Sequence, residues 1–120
     1  MAKILIIEDN KDLLDFICAL LDMHQFEARG VTTGKEFKIQ LESFLPDLVI
    51  MDVMLIKEDG RDLCREFKKE HKNILVILIS ANAKLLIDYK GCEADDVIEK
   101  PFNITDILRK ISGNLQSSAK

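Results

Sequence analysis

Three carboxylates follow directly on two of the most apolar segments of the sequence. Glu8 and Asp9 come after KILII, and Asp52 ends the segment DLVIMD. Burying an unpaired carboxylate is strongly unfavourable, so an aspartate inside an apolar strand is protonated, paired with a cation, or holding a metal ion. Which of these states applies to Asp52 depends on the elements that position it.

Short apolar runs alternate with amphipathic stretches along the whole chain. The runs KILII, EARGV, DLVIMD, ILVILIS and DVIEK predict five strands. The stretches between and after them have apolar residues at helical spacing and predict five helices, the second capped by Thr33 and Glu36 and the last by Asn103. This alternation predicts an α/β fold of the flavodoxin-like, doubly wound type, with parallel strands in the order 2-1-3-4-5.

Such a sheet gathers polar residues from distant positions at one edge. Ligands bind beyond the carboxyl ends of the strands, where the strand order reverses. Glu8, Asp9, Asp52, Ser80 and Lys100 all end or follow a strand. Hard oxygen ligands select Mg²⁺ or Mn²⁺, and a hydroxyl and an ammonium beside them suit the oxygens of a phosphoryl group.

Each of these residues except Asp52, whose neighbours in the sequence offer no obvious salt-bridge partner, also has an ordinary structural explanation when taken singly. Acidic residues after a strand often only favour a helix N-terminus, a serine often bonds within a turn, and a lysine is usually solvated. The functional hypothesis therefore rests on the five residues together.

Composition limits the alternatives. The chain has 120 residues, 48% hydrophobic and 32% charged, which predicts one domain over residues 1–120, with 117–120 as a polar tail or the start of a linker. A net charge of −4 disfavours direct binding of nucleic acid. Three cysteines without C-x-x-C spacing favour free thiols, and the N-terminal apolar run is too short for a signal peptide or membrane span, so we expect a cytoplasmic protein.

Four segments, taken in order and spacing, resemble the receiver domain of two-component response regulators over nearly the whole chain. These segments are ILIIEDN, PDLVIMDVMLIKEDG, VILISAN and ADDVIEKPF. The resemblance implies that Asp52 is the phosphoacceptor. It implies that Glu8 and Asp9 hold Mg²⁺, with Asp9 the more direct ligand, and that the backbone carbonyl of Met54 joins them.

The same resemblance assigns the remaining site residues. Ser80 would bond the bound phosphoryl group, Lys100 would neutralise its charge, and the Lys100–Pro101 peptide bond is expected to be cis. The phosphodonor would be a sensor histidine kinase or a phosphotransfer protein. Such a domain assists its own phosphorylation and dephosphorylation and is not a turnover enzyme. Its output would be a downstream protein or a fused domain, and the sequence leaves open whether the chain is complete and whether it dimerises when phosphorylated.

Some positions depart from the family pattern. Val97 stands where an aromatic switch residue is usual, which removes that device, and Ile56 stands where a proline is usual in the loop after Asp52. The segment from Ser80 to Lys100 is about two residues shorter than is typical, so we expect a short or partly unwound fourth helix. Met54 and Asn82 occupy positions that set the lifetime of the phosphoryl group, and the apolar Met54 predicts slow hydrolysis.

Two other functions stay open on the sequence alone. A pseudo-receiver would keep the fold as a protein-binding module without phosphorylation, an interpretation that Val97 and the short fourth helix permit. A small phosphohydrolase with an aspartyl-phosphate intermediate is disfavoured, because that chemistry usually needs a second aspartate at the position of Met54.

Overall fold

Five parallel strands form a single sheet in the order 2-1-3-4-5. The computed structural model describes residues 1–118. The strands are β1 Lys3–Ile7, β2 Glu27–Val31, β3 Leu48–Asp52, β4 Leu75–Ser80 and β5 Asp96–Glu99. Every neighbouring pair runs parallel. The predicted topology is confirmed.

Within residues 1–118, four α-helices and one 3-10 helix connect and follow these strands. The α-helices are α1 Lys11–Met23, α2 Gly34–Phe44, α3 Gly60–Glu70 and α4 Ile104–Ser118, and the 3-10 helix is Ala83–Leu86. The count of five predicted helices is therefore corrected to four α-helices, with the 3-10 helix in place of the predicted fourth one. Residues 117 and 118 belong to α4, and residues 119 and 120 of the predicted tail lie outside the described residues.

Helix starts follow the predicted capping residues. The Thr33 hydroxyl accepts a hydrogen bond from the Glu36 N–H at 3.1 Å, and the Asn103 side chain accepts one from the Asp106 N–H at 2.8 Å. These bonds satisfy donors that have no partner inside the first turn. Local sequence signals thus predicted the starts of α2 and α4 correctly.

The sheet separates two apolar clusters. One lies under α2 and α3 and includes Phe37, Phe44 and Phe67, and the other lies under α1 and α4 and includes Ile17 and Ile107. All five residues of β3 are buried, which explains why its sequence is continuously apolar up to Asp52. None of the helices within residues 1–118 has the length and apolar character needed to cross a membrane.

The cysteines are packed as small side chains. Cys64 and Cys92 are buried and Cys18 is half-buried, and all three are free thiols. Burial raises the pKa of the Cys18 thiol to about 11 and that of Cys64 to about 12. These two thiols are therefore protonated, and weakly nucleophilic, at neutral pH.

Candidate functional site

The strand register brings the predicted polar residues into one row. Ile7 of β1 pairs with Met51 of β3, and Asp52 pairs with Ile79 of β4. Ser80 in turn pairs with Glu99 of β5. Glu8, Asp52, Ser80 and Lys100 consequently lie side by side at the carboxyl edge of the sheet, because each ends or directly follows a paired strand.

Three carboxylates form a compact acidic cluster at this edge. One oxygen from each of Glu8, Asp9 and Asp52 lies within 4.8 Å of the other two. Glu8 is 1% and Asp52 3% exposed, while Asp9 is half-buried. Burial, a hydrogen bond with Glu8 and the charge of Glu8 together raise the pKa of Asp9 above its ordinary value. The cluster is thus electrostatically unfavourable without a cation.

Lys100 contributes a positive charge to the cluster. Its Nζ lies 2.7 Å from Glu8 Oε1 and 3.3 Å from Asp52 Oδ2. Burial acts to lower the pKa of Lys100, but the hydrogen bond to Glu8 and the charges of Asp52 and Glu8 outweigh it, so the pKa is raised. Lys100 therefore stays protonated and bridges two buried carboxylates.

The direct contact between Glu8 and Lys100 was not anticipated from the sequence. Both oxygens of Glu8 are engaged, since Oε2 accepts a hydrogen bond from the Asn10 N–H at 3.1 Å. The two residues are 92 positions apart. The only signal in the sequence was their common location after β1 and β5, which did not specify which carboxylate Lys100 would contact.

The loop after β3 holds the Asp52 side chain and backbone. The Met54 N–H donates to Asp52 Oδ1 at 3.1 Å, and the Gly60 N–H donates to the Val53 carbonyl at 2.8 Å. A Cβ on Gly60 would lie 2.1 Å from the Asp52 carbonyl oxygen. Close approach of the start of α3 to the end of β3 therefore requires a glycine at this position.

Ser80, Asn82 and Pro101 complete the edge. Ser80 is fully buried, and its hydroxyl accepts a hydrogen bond from the Asn82 N–H at 3.1 Å. The Asn82 side chain accepts a hydrogen bond from the Lys84 N–H at 3.1 Å and caps the start of the 3-10 helix. Asn82 is exposed. The Lys100–Pro101 peptide bond is cis.

The positions that depart from the family pattern lie in different environments. Val97 is half-buried in β5 and packs against the cluster under α2 and α3. Ile56 is 82% and Met54 58% exposed, both in the loop after β3. None of these three side chains belongs to the acidic cluster of Glu8, Asp9 and Asp52.

Comparison with known proteins identifies the family. The sequence profile of the response regulator receiver domain matches residues 4–112. The chain belongs to this family. This receiver is 32% identical over 120 residues to the transcriptional regulatory protein CpxR of Klebsiella pneumoniae, covering 98% of this chain and 51% of that protein. It is 34% identical to histidine kinase P4 of Formosa agariphila, covering 97% of this chain and 9% of that protein.

A solved structure shows the same architecture. The CheY-like receiver domain protein of Methanospirillum hungatei superimposes with a TM-score of 0.91 and 25% identity, and the match covers 99% of this chain and 97% of that one. This receiver spans about half the length, or less, of the curated relatives it matches. Receiver domains as a family act in two-component signalling with histidine kinases and output domains.

The donor set of this receiver fits a divalent cation. Three carboxylates and one ammonium leave a formal charge of −2 at the edge of the sheet. All the side-chain donors of the acidic cluster are oxygens, which suit Mg²⁺ or Mn²⁺ better than softer metals. The family's general use of Mg²⁺ agrees with this arrangement.

Proposed function

We propose that this receiver accepts a phosphoryl group on Asp52 from a phosphohistidine of a sensor histidine kinase or phosphotransfer protein, in a Mg²⁺-dependent reaction. The observation that supports this most strongly is the position of Asp52. It is buried at the edge of the sheet, with Glu8, Asp9 and Lys100 around its carboxylate.

The transfer itself exchanges one bond for another. An oxygen of the Asp52 carboxylate attacks phosphorus and forms the P–O bond of an acyl phosphate. The P–N bond to the donor histidine breaks, and the imidazole nitrogen leaves with the electron pair. Lys100, 3.3 Å from Asp52 Oδ2, lies close enough to neutralise charge on the transferred group.

Ser80 is suited to bind the product. Its hydroxyl oxygen accepts a hydrogen bond from Asn82, so the hydroxyl proton is available to donate to a phosphoryl oxygen. Val97 lacks a ring, so the change in partner binding would proceed through Ser80 and the loops after β3 and β4 rather than through an aromatic side chain.

Asp9, Asp52, Glu8 and the Met54 carbonyl would hold the Mg²⁺ or Mn²⁺. When bound, the ion neutralises negative charge on the phosphoryl oxygens. Because both oxygens of Glu8 already accept hydrogen bonds, Asp9 is better placed than Glu8 to be a direct ligand.

We further propose that residues 1–120 act as one cytoplasmic receiver unit, which assists its own phosphorylation and dephosphorylation and does not turn over an external substrate. Its output would be a downstream protein or a fused domain. Dimerisation on phosphorylation is a further possibility, which light scattering would detect. No observation favours the pseudo-receiver, and Met54 lies where a phosphohydrolase of this type needs an aspartate.

Intact mass spectrometry after incubation with acetyl phosphate tests the proposal. A single phosphoryl adduct is expected with Mg²⁺, and none is expected with EDTA or in Asp52→Ala. Beryllofluoride with Mg²⁺ should also raise the melting temperature of the wild type only. If the wild type gives neither adduct nor shift, the proposed phosphorylation is wrong and the pseudo-receiver replaces it.

A further inference from the structure

A groove lies between α2 and α3 and runs from the fourth residue of each helix to its C-terminal end. Its cavity measures about 450 Å³. Phe37, Leu63 and Phe67 form an apolar floor and are nearly completely buried, at 1%, 6% and 5% exposed. Leu45, which is 68% exposed, lies at one end. The apolar surface that solvent reaches therefore belongs mainly to Leu45 and the half-buried Leu41, and the groove has a volume typical of binding sites.

The rim of this groove is predominantly acidic. Glu42, Glu66 and Glu70 line it together with Lys38 and His71. Lys38 Nζ lies 3.7 Å from Glu66 Oε1, whereas Glu42 and Glu70 have no salt bridge within residues 1–118. The rim thus keeps two carboxylates without a partner cation.

Helix polarity strengthens the negative potential at this place. Glu42 and Glu70 line the groove at the C-terminal ends of α2 and α3, and a helix C-terminus carries partial negative charge. The last turn of α2 contains no basic residue to offset it. The last turn of α3 contains two basic residues. Lys68 is buried and bonded to Asp95 at 2.8 Å, and Lys69 does not line the groove. A ligand with positive charge is favoured.

The groove is separate from the phosphoacceptor edge. Because helices following parallel strands run back across the sheet, α2 and α3 begin near the carboxyl edge and end at the opposite one. The lining residues extend from the fourth residue of each helix to its C-terminal end, and they include neither a member of the acidic cluster nor Ser80 or Lys100. A ligand in the groove would therefore leave Asp52 accessible.

We propose that this groove binds an amphipathic helix of a partner protein, with an apolar stripe flanked by lysine or arginine. Eight residue steps from Phe37 to Leu45 span about 12 Å of helix, at about 1.5 Å per residue. The anchors i and i+7 of a guest helix are about 10 Å apart, so three anchors at i, i+4 and i+7 match this length of the groove. This inference goes beyond the proposed phosphorylation and does not depend on it.

A synthetic peptide of about 20 residues serves as the probe, with leucines at i, i+4 and i+7 and lysines at flanking positions. The control peptide has glutamate in place of every lysine. Fluorescence polarisation should show saturable binding of the basic peptide only, and NMR amide shifts should map it to α2 and α3. Absence of binding, equal binding of the acidic peptide, or shifts located elsewhere would overturn the proposal.

Charge reversal in the protein gives the matched test. Glu42→Lys and Glu70→Lys should each weaken binding at least roughly fivefold, while Glu93→Lys, the same change at an exposed position outside the groove, should leave it unchanged. Asp52→Ala should bind as the wild type does, which separates this test from that of phosphorylation. If the groove variants bind like wild type, or if they instead abolish self-association of the chain in sedimentation, the proposed occupant is wrong.

Discussion

Met54 acts on Asp52 through its backbone and faces solvent with its side chain. Its N–H donates to Asp52 Oδ1 at 3.1 Å, and the residue is 58% exposed. A substitution can therefore change the side chain and leave this hydrogen bond in place. The thioether offers an attacking water only a weak hydrogen-bond acceptor.

Met54→Asn should accelerate dephosphorylation. The new amide can orient a water toward the acyl phosphate, and one hydrogen bond of ordinary strength corresponds to roughly a three- to tenfold change in rate. Loss of the phosphoryl adduct followed by intact mass measures this rate. Ile56→Asn, an equally polar change in the same loop at a residue 82% exposed, is the control and should leave the rate unchanged. Equal rates for Met54→Asn and wild type would refute this role of Met54.

At this scale the sequence predicted positions better than contacts. Asp52, Ser80 and Lys100 could be placed because each ends or follows an apolar strand. The 2.7 Å contact of Lys100 with Glu8 could not be predicted, because it depends on the rotamers of two long side chains within a folded site.

Among the structural elements, α3 begins unusually close to the end of β3. The contact involves backbone on both sides, since a Cβ on Gly60 would lie 2.1 Å from the Asp52 carbonyl oxygen and 2.9 Å from the Val53 Cα. Neither atom belongs to a flexible side chain. Any larger residue must therefore displace α3 or the end of β3.

Gly60→Ala should destabilise the receiver by about 2–4 kcal/mol, as expected for overpacking against rigid backbone. It should also reduce phosphoryl adduct formation, because Asp52 is displaced. Urea unfolding and intact mass measure the two effects. Gly113→Ala is the matched control, since a Cβ there meets nothing within 4 Å and removes a glycine from α4. That variant should gain about 0.5–1 kcal/mol, and a similar gain for Gly60→Ala would contradict the steric explanation.

The start of α3 also predicts a pH dependence. Asp59 caps this helix, and its carboxylate accepts hydrogen bonds from the Arg61 backbone N–H at 2.8 Å and the guanidinium at 2.6 Å. The Arg61 side-chain hydrogen bond is the main cause that lowers the pKa of Asp59 below its ordinary value of 3.8. A lowered pKa in the folded state means that ionised Asp59 stabilises the fold at pH values above 3.8.

The contribution of Asp59 should vanish as the pH falls through its lowered pKa. Asp59→Asn keeps a capping oxygen but loses the charge, so it should be less stable than wild type at pH 6. The difference in free energy of unfolding should shrink steadily below pH 4. Urea unfolding of both proteins across this range measures it. A difference that stays constant with pH would show that the charge of Asp59 is not involved.

The connection between β4 and β5 shows what local sequence could not specify. A short or partly unwound helix was expected there, and the structure has a 3-10 helix of 4 residues, Ala83–Leu86. Beyond it the chain continues through turns, with the Ala94 N–H bonded to the Tyr89 carbonyl at 3.0 Å and Glu93 at a φ of 65°. These long turns depend on packing against the sheet, so the residue pattern indicated only that the helix would be short.

For the molecule as a whole, the strand order followed from sequence because alternating strands and helices with right-handed crossovers permit few topologies. The groove between α2 and α3 could not be predicted from the sequence, because it depends on how two amphipathic helices pack side by side. Leu41 and Leu45 look alike in the sequence. Only the packed helices show that Leu45 is 68% exposed. Global topology was thus more predictable than surface shape.

The acidic cluster should lower the stability of the whole domain when no divalent cation is present. Burial and the neighbouring Glu8 raise the pKa of Asp9, which means that the ionised form of Asp9 is disfavoured in the folded state. At neutral pH in EDTA, Asp9→Asn should therefore raise the free energy of unfolding by about 1 kcal/mol, allowing for solvent screening. Glu27→Gln, which removes the same charge from an exposed position in β2, should have little effect.

Added Mg²⁺ should reverse this order of stability. Wild type gains stability because it binds the ion only when folded, whereas Asp9→Asn has lost a ligand and should respond weakly. Thermal unfolding of wild type, Asp9→Asn and Glu27→Gln over a Mg²⁺ titration measures this. If Asp9→Asn responds to Mg²⁺ as strongly as wild type does, Asp9 is not a ligand. If Asp9→Asn is also no more stable than wild type in EDTA, removal of one negative charge has not raised the free energy of unfolding. The repulsion inferred within the cluster is then absent.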